Sequence, residues 1–166
     1  MNPTPSRDSF EQLVAAHYGI VRKIAATYRY TAEDRADLSQ DILAGLWQAW
    51  PRYDGQRTFS TWMYRVALNV AISSHRREQH RRHEPLSEEH DAIEGATDVA
   101  FEARQQLDLI AHAMQALSDT DRALMLLHLD GHSHRDIADV LGTTEGNVAV
   151  RFTRIKNHLR RQAGTK

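Results

Sequence analysis

Residues 133–161 read SHRDIADVLGTTEGNVAVRFTRIKNHLRR and largely determine the fold that we expect. Ser133 is followed three residues later by an aspartate, which is the spacing of a capping box at the start of a helix. Gly142 favours the end of that helix, because glycine adopts a left-handed conformation at little cost. Thr143 or Thr144 can then cap a second helix.

The second helix of this stretch is amphipathic. Its apolar residues recur at helical spacing and form one stripe, Val148, Phe152, Ile155 and Leu159. Its other faces carry polar and basic side chains, namely Asn147, Arg151, Arg154, Lys156, Arg160 and Arg161. A short helix, a glycine turn and a basic amphipathic helix favour a helix-turn-helix that binds DNA. The alternative is a helical hairpin whose basic face is merely solvated.

Composition limits the class of protein. A chain of 166 residues forms one domain of ordinary size or two small ones. Its hydrophobic content of 41% is sufficient for packed cores. Cysteine is absent, which excludes disulfides and thiolate metal sites and fits a reducing compartment. No apolar run approaches the ~18 residues of a membrane span, and the first ten residues lack the apolar segment of a signal peptide. We therefore expect a cytoplasmic protein.

Charge is segregated along the chain, although the formal net charge is only -1. Residues 51–83 contain seven arginines against two acids, and residues 144–166 contain six basic residues against one acid. Between these blocks, residues 84–104 contain seven acids against one arginine. Two basic blocks on either side of an acidic one indicate two separate contacts with phosphate backbone.

The N-terminal region predicts a long first helix. Asp8 or Ser9 can cap it, and its apolar face continues to Tyr28. His17 lies on that apolar face. We interpret it as a packed core histidine rather than as a metal ligand.

A second helix is expected from about Ala32 to Trp50, ending before Pro51. Its apolar stripe consists of Leu38, Ile42, Leu46 and Trp50, and it is widened by Leu43 and Trp47. Acids cluster in its first turns, where they compensate the helix dipole. Gln40 and Asp41 lie further in, so a polar docking face for a partner remains a second interpretation.

The next segment, PRYDGQRTFST over residues 51–61, reads as a loop with a turn at Asp54-Gly55. Thr58 or Ser60 can cap a third helix that extends to about residue 78. The inward edge predicted for this helix consists of Phe59, Trp62, Val66 and Val70, with Met63 and Ala67 alongside.

Aromatic residues alternate with arginines at the start of this third helix. Aromatic rings stack on exposed bases and arginines hold phosphates, so this composition suits single-stranded DNA. The alternative is that Phe59 and Trp62 simply belong to the core, which is the more probable role for Trp62.

A further helix is expected from Phe101, with a stripe of Leu107, Ile110, Met114 and Leu117. Ser118 can cap the helix after it, with Asp121 at the capping-box position, and Gly131 ends that helix.

No segment alternates with a period of two for long enough to form a strand. The acidic stretch is polar and contains Pro85 and Gly95, which favour a linker. We therefore predict an all-α chain of two small helical domains joined by a flexible linker, with a helix-turn-helix in the second. The expected boundaries are 1–83, 84–104 and 105–166.

Histidines are the remaining candidates for chemistry. They occur around the linker and before the helix-turn-helix, at His75, His80, His83, His90, His128, His132 and His134. Their spacing fits no metal-hydrolase motif such as HExxH. We interpret them as surface residues and expect no metal site, no cofactor and no catalytic residue.

Two signatures, in this order, resemble the extracytoplasmic-function (ECF) sigma factors of the sigma-70 family. The first is DLSQDILAGLWQAW over 37–50, followed by TFSTWMYRVALNVAISSHRR over 58–77. The second is ALSDTDRALMLLHLDGHSHRDIADVLGTTEGNVAVRFTRIKNHLRR over 116–161. The resemblance implies a first domain that holds the polymerase clamp and reads the -10 promoter element. It implies a second domain that reads the -35 element.

The resemblance also assigns roles to residues. The face implied to dock on the clamp helices of the largest polymerase subunit is Asp37, Gln40 and Asp41, with Leu43 and Trp47 beside them. The residues implied to capture a -10 base and line the path of the melted strand are Asp54, Arg57, Phe59, Trp62, Arg65, Asn69, Ser73, Arg76 and Arg77.

In the second domain, the residues implied to face the -35 major groove are Thr144, Glu145, Asn147, Arg151, Arg154 and Lys156. Ala149 and Val150 occupy positions that are often polar in relatives. Ser73 and Ser74 likewise stand where many relatives have an acidic or aromatic residue.

The function implied is that of a sigma factor without catalytic activity, which binds core RNA polymerase and initiates transcription at promoters. Its implied partners are promoter DNA and core polymerase, including the flap of the second-largest subunit. ECF sigma factors are also commonly held by an anti-sigma factor. The alternative is a two-domain helix-turn-helix regulator that binds duplex DNA without polymerase, commonly as a dimer.

Overall fold

The computed structural model describes residues 7–81, 109–110 and 112–164. It divides into two compact units, Met1–His90 and Asp91–Lys166. The described residues are helical and contain no strand, as the sequence predicts. The acidic segment 84–104 lies outside the described residues, as does the start of the helix expected from Phe101.

Four α-helices and a short 3-10 helix at Trp50–Arg52 build the first unit. The α-helices are α1 (Arg7–Ala16), α2 (Tyr18–Tyr28), α3 (Ala32–Ala49) and α4 (Phe59–Arg81). In the second unit, helical backbone at 109–110 and 112–115 precedes three helices. These are α5 (Asp119–Leu129), α6 (His134–Leu141) and α7 (Glu145–Ala163). None of the helices in the described ranges combines the length and the apolar character that crossing a bilayer requires.

The single helix expected up to Tyr28 is in fact two helices, because the backbone leaves helical geometry at His17 (φ -113°, ψ 16°). The His17 amide donates to the carbonyls of both Leu13 and Val14 at 3.2 Å. The His17 ring nitrogen Nδ1 also lies 2.9 Å from the Leu13 carbonyl oxygen. The ring packs against Phe59 with centroids 5.3 Å apart. His17 is therefore a packed histidine, as predicted, which joins the α1–α2 break to α4.

The core of the first unit is centred on α3. Its predicted stripe, Leu38, Ile42, Leu46 and Trp50, is buried, with at most 6% of each residue exposed. Burial of each such side chain contributes on the order of 1.5–3 kcal/mol. Thr31, which the sequence analysis did not identify, caps α3 by accepting a hydrogen bond from the Asp34 amide. The stripe holds α3 against α2 and α4.

The inward edge predicted for α4 was only partly correct. The residues of α4 that the structure buries are Phe59, Met63, Tyr64, Ala67, Leu68 and Ala71. Trp62, Val66 and Val70 are half-buried at the margin of this face. Apolar residues surround most of α4, so periodicity alone did not identify the inward side. Which side of α4 faces inward is set by α2 and α3, which both pack against it.

The approach of α3 to α4 depends on a glycine. A Cβ atom placed on Gly45 would lie 2.7 Å from Cγ2 of Val70, which is closer than carbon atoms pack. Val70 therefore occupies the space that a side chain at position 45 would need. The close contact between the two helices requires glycine at this position because of space, not because of backbone conformation.

We expect Gly45→Ala to destabilise the first unit by about 1–3 kcal/mol, because its methyl group forces α3 and α4 apart. Gly19→Ala is the matched control. Gly19 is also helical, but its added Cβ would meet nothing within 4 Å, so this change should stabilise by about 0.5–1 kcal/mol. Denaturant unfolding of both variants measures the difference. Val70→Ala should partly rescue Gly45→Ala; equal stability of the two glycine variants would contradict the steric explanation.

Candidate nucleic-acid interfaces

The helix-turn-helix of the second unit is held by local contacts that the sequence predicts. Ser133 and Asp136 form a complete capping box at the start of α6. The Ser133 hydroxyl donates to Asp136 Oδ2 at 2.6 Å, and the Ser133 amide donates to the same oxygen at 3.2 Å. Gly142 ends α6 in the left-handed conformation (φ 67°). Thr144 caps α7 by accepting from the Asn147 amide at 3.2 Å.

One face of α7 packs on the rest of the unit. Val148 and Ile155 are buried, with 0% and 3% exposed. Phe152, which completes part of the stripe, is half-buried between two histidine rings. Its centroid lies 4.2 Å from that of His128 and 5.4 Å from that of His134. These two histidines are thus packing residues, and they fix the rotation of α7 so that its opposite face is presented outward.

The six residues predicted to face the -35 groove differ in their exposure and in their contacts with the rest of the unit. Exposed members of this group are Thr144, Glu145, Asn147, Arg154 and Lys156. Three of them also have structural contacts. Thr144 is the cap, and the Asn147 side-chain amide donates to the Thr143 hydroxyl at 3.1 Å. The Lys156 ammonium lies over the Phe152 ring, 4.9 Å from its centroid.

Arg151 differs from the others because it is half-buried and paired. Its Nε lies 3.3 Å from Oδ1 of Asp121 on α5, and the two side chains are 32% and 17% exposed. The sequence placed Asp121 in a capping box with Ser118. Ser118 does accept from the Asp121 amide at 3.2 Å, but the Asp121 carboxylate turns to Arg151. Arg151 thus ties α7 to α5, whereas Arg154 is exposed.

The predicted -10 loop is organised by its own side chains. Asp54 Oδ1 accepts from the Gln56 amide at 3.0 Å, and Gly55 takes a positive φ of 71° between them. The Tyr53 hydroxyl donates to the Arg57 carbonyl at 2.9 Å. Thr58 accepts from the Thr61 amide at 3.3 Å at the start of α4. The loop is therefore shaped before it meets a ligand, with Asp54 and Arg57 exposed at its surface.

An aromatic cluster supports this loop from beneath. Trp50 stacks on Tyr53 with centroids 5.4 Å apart, and Trp62 lies 5.1 Å from Tyr53. Phe59 is buried, with 7% exposed, and is enclosed by Trp50, Tyr53, Trp62 and the His17 ring. Phe59 therefore belongs to the core, which is one of the two roles that the sequence allows, and its contact with DNA stays a prediction. Trp62 is half-buried.

Four residues predicted to line the strand path fall on one face of α4. Arg65 is half-buried, and Asn69, Ser73 and Arg76 are exposed at spacings of four, four and three. Arg77 is exposed beside Arg76. The face is thus a continuous polar stripe that begins next to the loop.

The C-terminal half of α4 is held by a buried arginine that sequence analysis missed. Arg29 follows α2 and is only 8% exposed. Its Nη2 donates to the Ser74 hydroxyl at 2.8 Å and lies 3.0 Å from Oε2 of Glu78. Its Nη1 donates to the Tyr28 carbonyl at 2.9 Å. Because the partners are more than 40 residues away in sequence, no local pattern identifies this contact.

The predicted docking face on α3 is exposed opposite the core stripe. Asp37, Gln40 and Asp41 are exposed, and Leu43 is half-buried. Trp47 is 48% exposed, and its ring lies edge-on to Phe10 of α1 at 5.1 Å. Acidic, amide and aromatic side chains thus share one side of the helix, opposite its buried stripe.

In the described ranges, no three side chains from His, Asp and Glu come together as a metal site would require. His83 and His90 lie outside those ranges. Among the other histidines of the sequence, His75 lies edge-on to Tyr28, with centroids 6.0 Å apart. His75, His128 and His134 are therefore half-buried packing residues and not surface residues, whereas His132 Nε2 lies 3.9 Å from Oδ2 of Asp130.

The chain is similar to known proteins in its family profiles, its sequence and its fold. The profile of sigma-70 region 2 matches residues 13–81, and that of sigma-70 region 4 matches residues 107–159. The ECF RNA polymerase sigma factor SigM of Mycobacterium tuberculosis is 25% identical over 95% of this chain and 79% of its own length. The RNA polymerase sigma factor NccH of Alcaligenes xylosoxydans xylosoxydans is 28% identical over 91% of this chain and 84% of its own.

A similar fold occurs in the solved structure of the sigma factor RpoE in complex with the anti-sigma factor NepR from Bartonella quintana. The TM-score is 0.70 at 21% identity, with 95% of this chain and 98% of that chain covered. At this identity the likeness establishes a shared helical fold.

The capping box generates a pH-dependent prediction. Hydrogen bonds from the Ser133 side chain and amide lower the pKa of Asp136 below its ordinary value. A lowered folded-state pKa stabilises the fold above the ordinary pKa of about 4 and loses that stabilisation as the pH falls through the folded value. We expect Asp136→Asn to weaken amide-exchange protection of α6 at pH 7, and the difference from the parent to shrink below about pH 4. A difference that stayed constant with pH would argue against the charged cap.

Proposed function

Since the chain belongs to the sigma-70 family, as a factor of the ECF type, we propose how its surfaces share the work of promoter recognition. The N-terminal unit binds core RNA polymerase and opens the -10 element, and the C-terminal unit anchors on the -35 element. Residues 1–83 and 105–166 supply these two functions, with 84–104 as the connection. The observation that carries this proposal is the pairing, within one small unit, of an exposed acidic-aromatic face on α3 with a preformed basic loop.

Core polymerase binds the α3 face in this proposal. Asp37, Gln40 and Asp41 supply hydrogen-bond acceptors for basic residues of the clamp helices, while Leu43 and Trp47 supply apolar contact. Tryptophan is enriched at binding hot spots, where a few anchor residues contribute most of the affinity. The Phe10 ring limits the rotamers of Trp47, so less side-chain entropy is lost when the partner binds.

The loop that follows α3 captures a base of the -10 element. Extruding a base from the duplex costs a few kcal/mol, which a fitting pocket offsets. Asp54 and Arg57 offer a carboxylate and a guanidinium to the base and its phosphate, and the half-buried Trp62 offers a ring edge. Because only a fitting base recovers the cost, recognition and melting become one event. The strand then follows Arg65, Asn69, Ser73, Arg76 and Arg77 along α4.

The recognition helix α7 enters the major groove at the -35 element. Arg154 is suited to a bidentate contact with guanine, which is worth about 1–3 kcal/mol of discrimination. Glu145 and Asn147 lie in the first turn, where side chains reach base edges, and Lys156 contacts phosphate. Arg151 acts mainly through its pair with Asp121, by fixing the helix on its unit.

In this proposal the chain catalyses no reaction, because core polymerase synthesises the RNA. Its relatives carry the names of sigma factors rather than enzymes. The NepR complex of the Bartonella factor supports an anti-sigma factor as a further partner here. A cytoplasmic location and a contact of the C-terminal unit with the polymerase flap follow from the same role.

The central experiment reconstitutes the chain with core RNA polymerase and measures runoff transcription from promoters selected out of a randomised library. We expect a stable holoenzyme and initiation at a defined start. If the chain binds duplex DNA but no core polymerase, the proposal is wrong and a helix-turn-helix regulator takes its place.

The docking face is tested by Asp41→Lys. Charge reversal at this exposed position should weaken core binding at least tenfold, because a repulsive contact replaces an attractive one. Glu11→Lys on α1 is the matched control, since its ion pair with Arg7 is exposed and contributes little. Core affinity from a pull-down or fluorescence titration, together with circular dichroism, gives the answer. Equal affinity for both variants would remove Asp41 from the interface.

Replacement of Arg151 and of Arg154 on α7 should have different effects. Arg154→Ala should weaken binding to the selected -35 duplex by roughly 5–150-fold without loss of stability. Arg151→Ala should instead lower the stability of the second unit, with a smaller loss of DNA affinity at temperatures where it is folded. Binding of the holoenzyme to the -35 duplex measures the loss of DNA affinity, and thermal unfolding measures the loss of stability. If both variants lost the same amount of each, the separate roles of Arg151 and Arg154 would be contradicted.

A further inference from the structure

Two residues on the outer face of α7 are not explained by the packing of the protein. Gly146 lies in the first turn, and a Cβ there would meet nothing within 4 Å. Its φ is not positive, so the backbone does not need glycine either. Val150 is 61% exposed. Both residues favour a helix less than alanine does.

The two positions lie on the same face. They are four residues apart, which places one directly above the other on a helix. At 3.6 residues per turn, Val150 points away from the buried Val148 and Ile155. Local helix preference is thus violated twice on the surface that faces outward, and such violations are expected where a surface serves a ligand.

The residues around Val150 indicate what kind of group it contacts. Asn147 and Arg154 are exposed one turn to either side of Val150, so the apolar patch is framed by groups that hydrogen-bond to bases. Phosphate contacts need no apolar side chain. In the major groove, the apolar feature that a protein reads is the 5-methyl group of thymine. A glycine one turn earlier removes the side chain that would hold the helix away from the base edges.

We propose that Val150 reads the 5-methyl group of a thymine in the -35 element and that Gly146 permits the close approach this contact needs. The inference rests on the proposed function, because it assigns one base to the recognition helix. It makes Val150 a specificity-determining residue and predicts a thymine at one fixed position of the -35 element.

The test uses the holoenzyme and a -35 duplex selected from a randomised library. Each thymine is replaced in turn by deoxyuridine, which removes only the methyl group. At one position we expect binding to fall about fourfold, the effect of losing one buried methyl group. Val150→Ala should lose affinity for the thymine duplex and no longer distinguish the two duplexes. Val150→Thr, which keeps a γ-methyl, should restore part of the difference.

Gly146→Ala separates a functional role from a structural one. It should raise the thermal stability of the second unit, because alanine favours the helix, and at the same time weaken binding to the duplex. A variant that binds as well as the parent would overturn the role of Gly146.

The remaining outcomes are distinct. A selected element without a fixed thymine, indifference to every deoxyuridine, or a methyl effect that survives Val150→Ala would overturn the role of Val150. Failure of the holoenzyme to select any duplex would instead contradict the proposed function itself.

Discussion

The close contact of α3 with α4 at Gly45 is the constraint on which the N-terminal unit depends. These two helices carry the candidate polymerase surface on one and the candidate strand path on the other. Val70 fills the position where a side chain on Gly45 would stand, so the helices pack closely, and Leu38, Ile42 and Leu46 complete the seam. With its inward faces buried in this way, the unit can leave Asp37, Asp41 and Trp47 exposed on one side without losing its core.

Features held by near neighbours in the chain could be predicted from the sequence. The capping box at Ser133, the left-handed Gly142 and the buried stripe of α3 appear in the structure where their spacing indicates. They depend on contacts within three or four residues, which a linear pattern records. The all-helical fold with a helix-turn-helix near the end follows from such patterns.

Features that depend on distant partners could not be predicted in this way. At the break between α1 and α2, the His17 ring packs on Phe59. The inward face of α4 is set by its packing against α2 and α3. From the sequence alone, Arg29 would be placed at the surface, because its partners Ser74 and Glu78 lie far away on α4. In the candidate site, Phe59 packs on the His17 ring and Arg151 pairs with Asp121, and local spacing records neither contact.

The loop between Trp50 and α4 is closed almost entirely by its own atoms, through Asp54 with Gln56, Tyr53 with Arg57, and Thr58 with Thr61. Its shape therefore depends on the side chains of Tyr53, Asp54 and Thr58, but not on other exposed side chains such as those of Arg52 and Gln56. Such a segment can exchange those side chains, or be grafted whole between related chains, while the helices beneath it stay in place. New base preferences can then arise during evolution without a passage through unfolded intermediates.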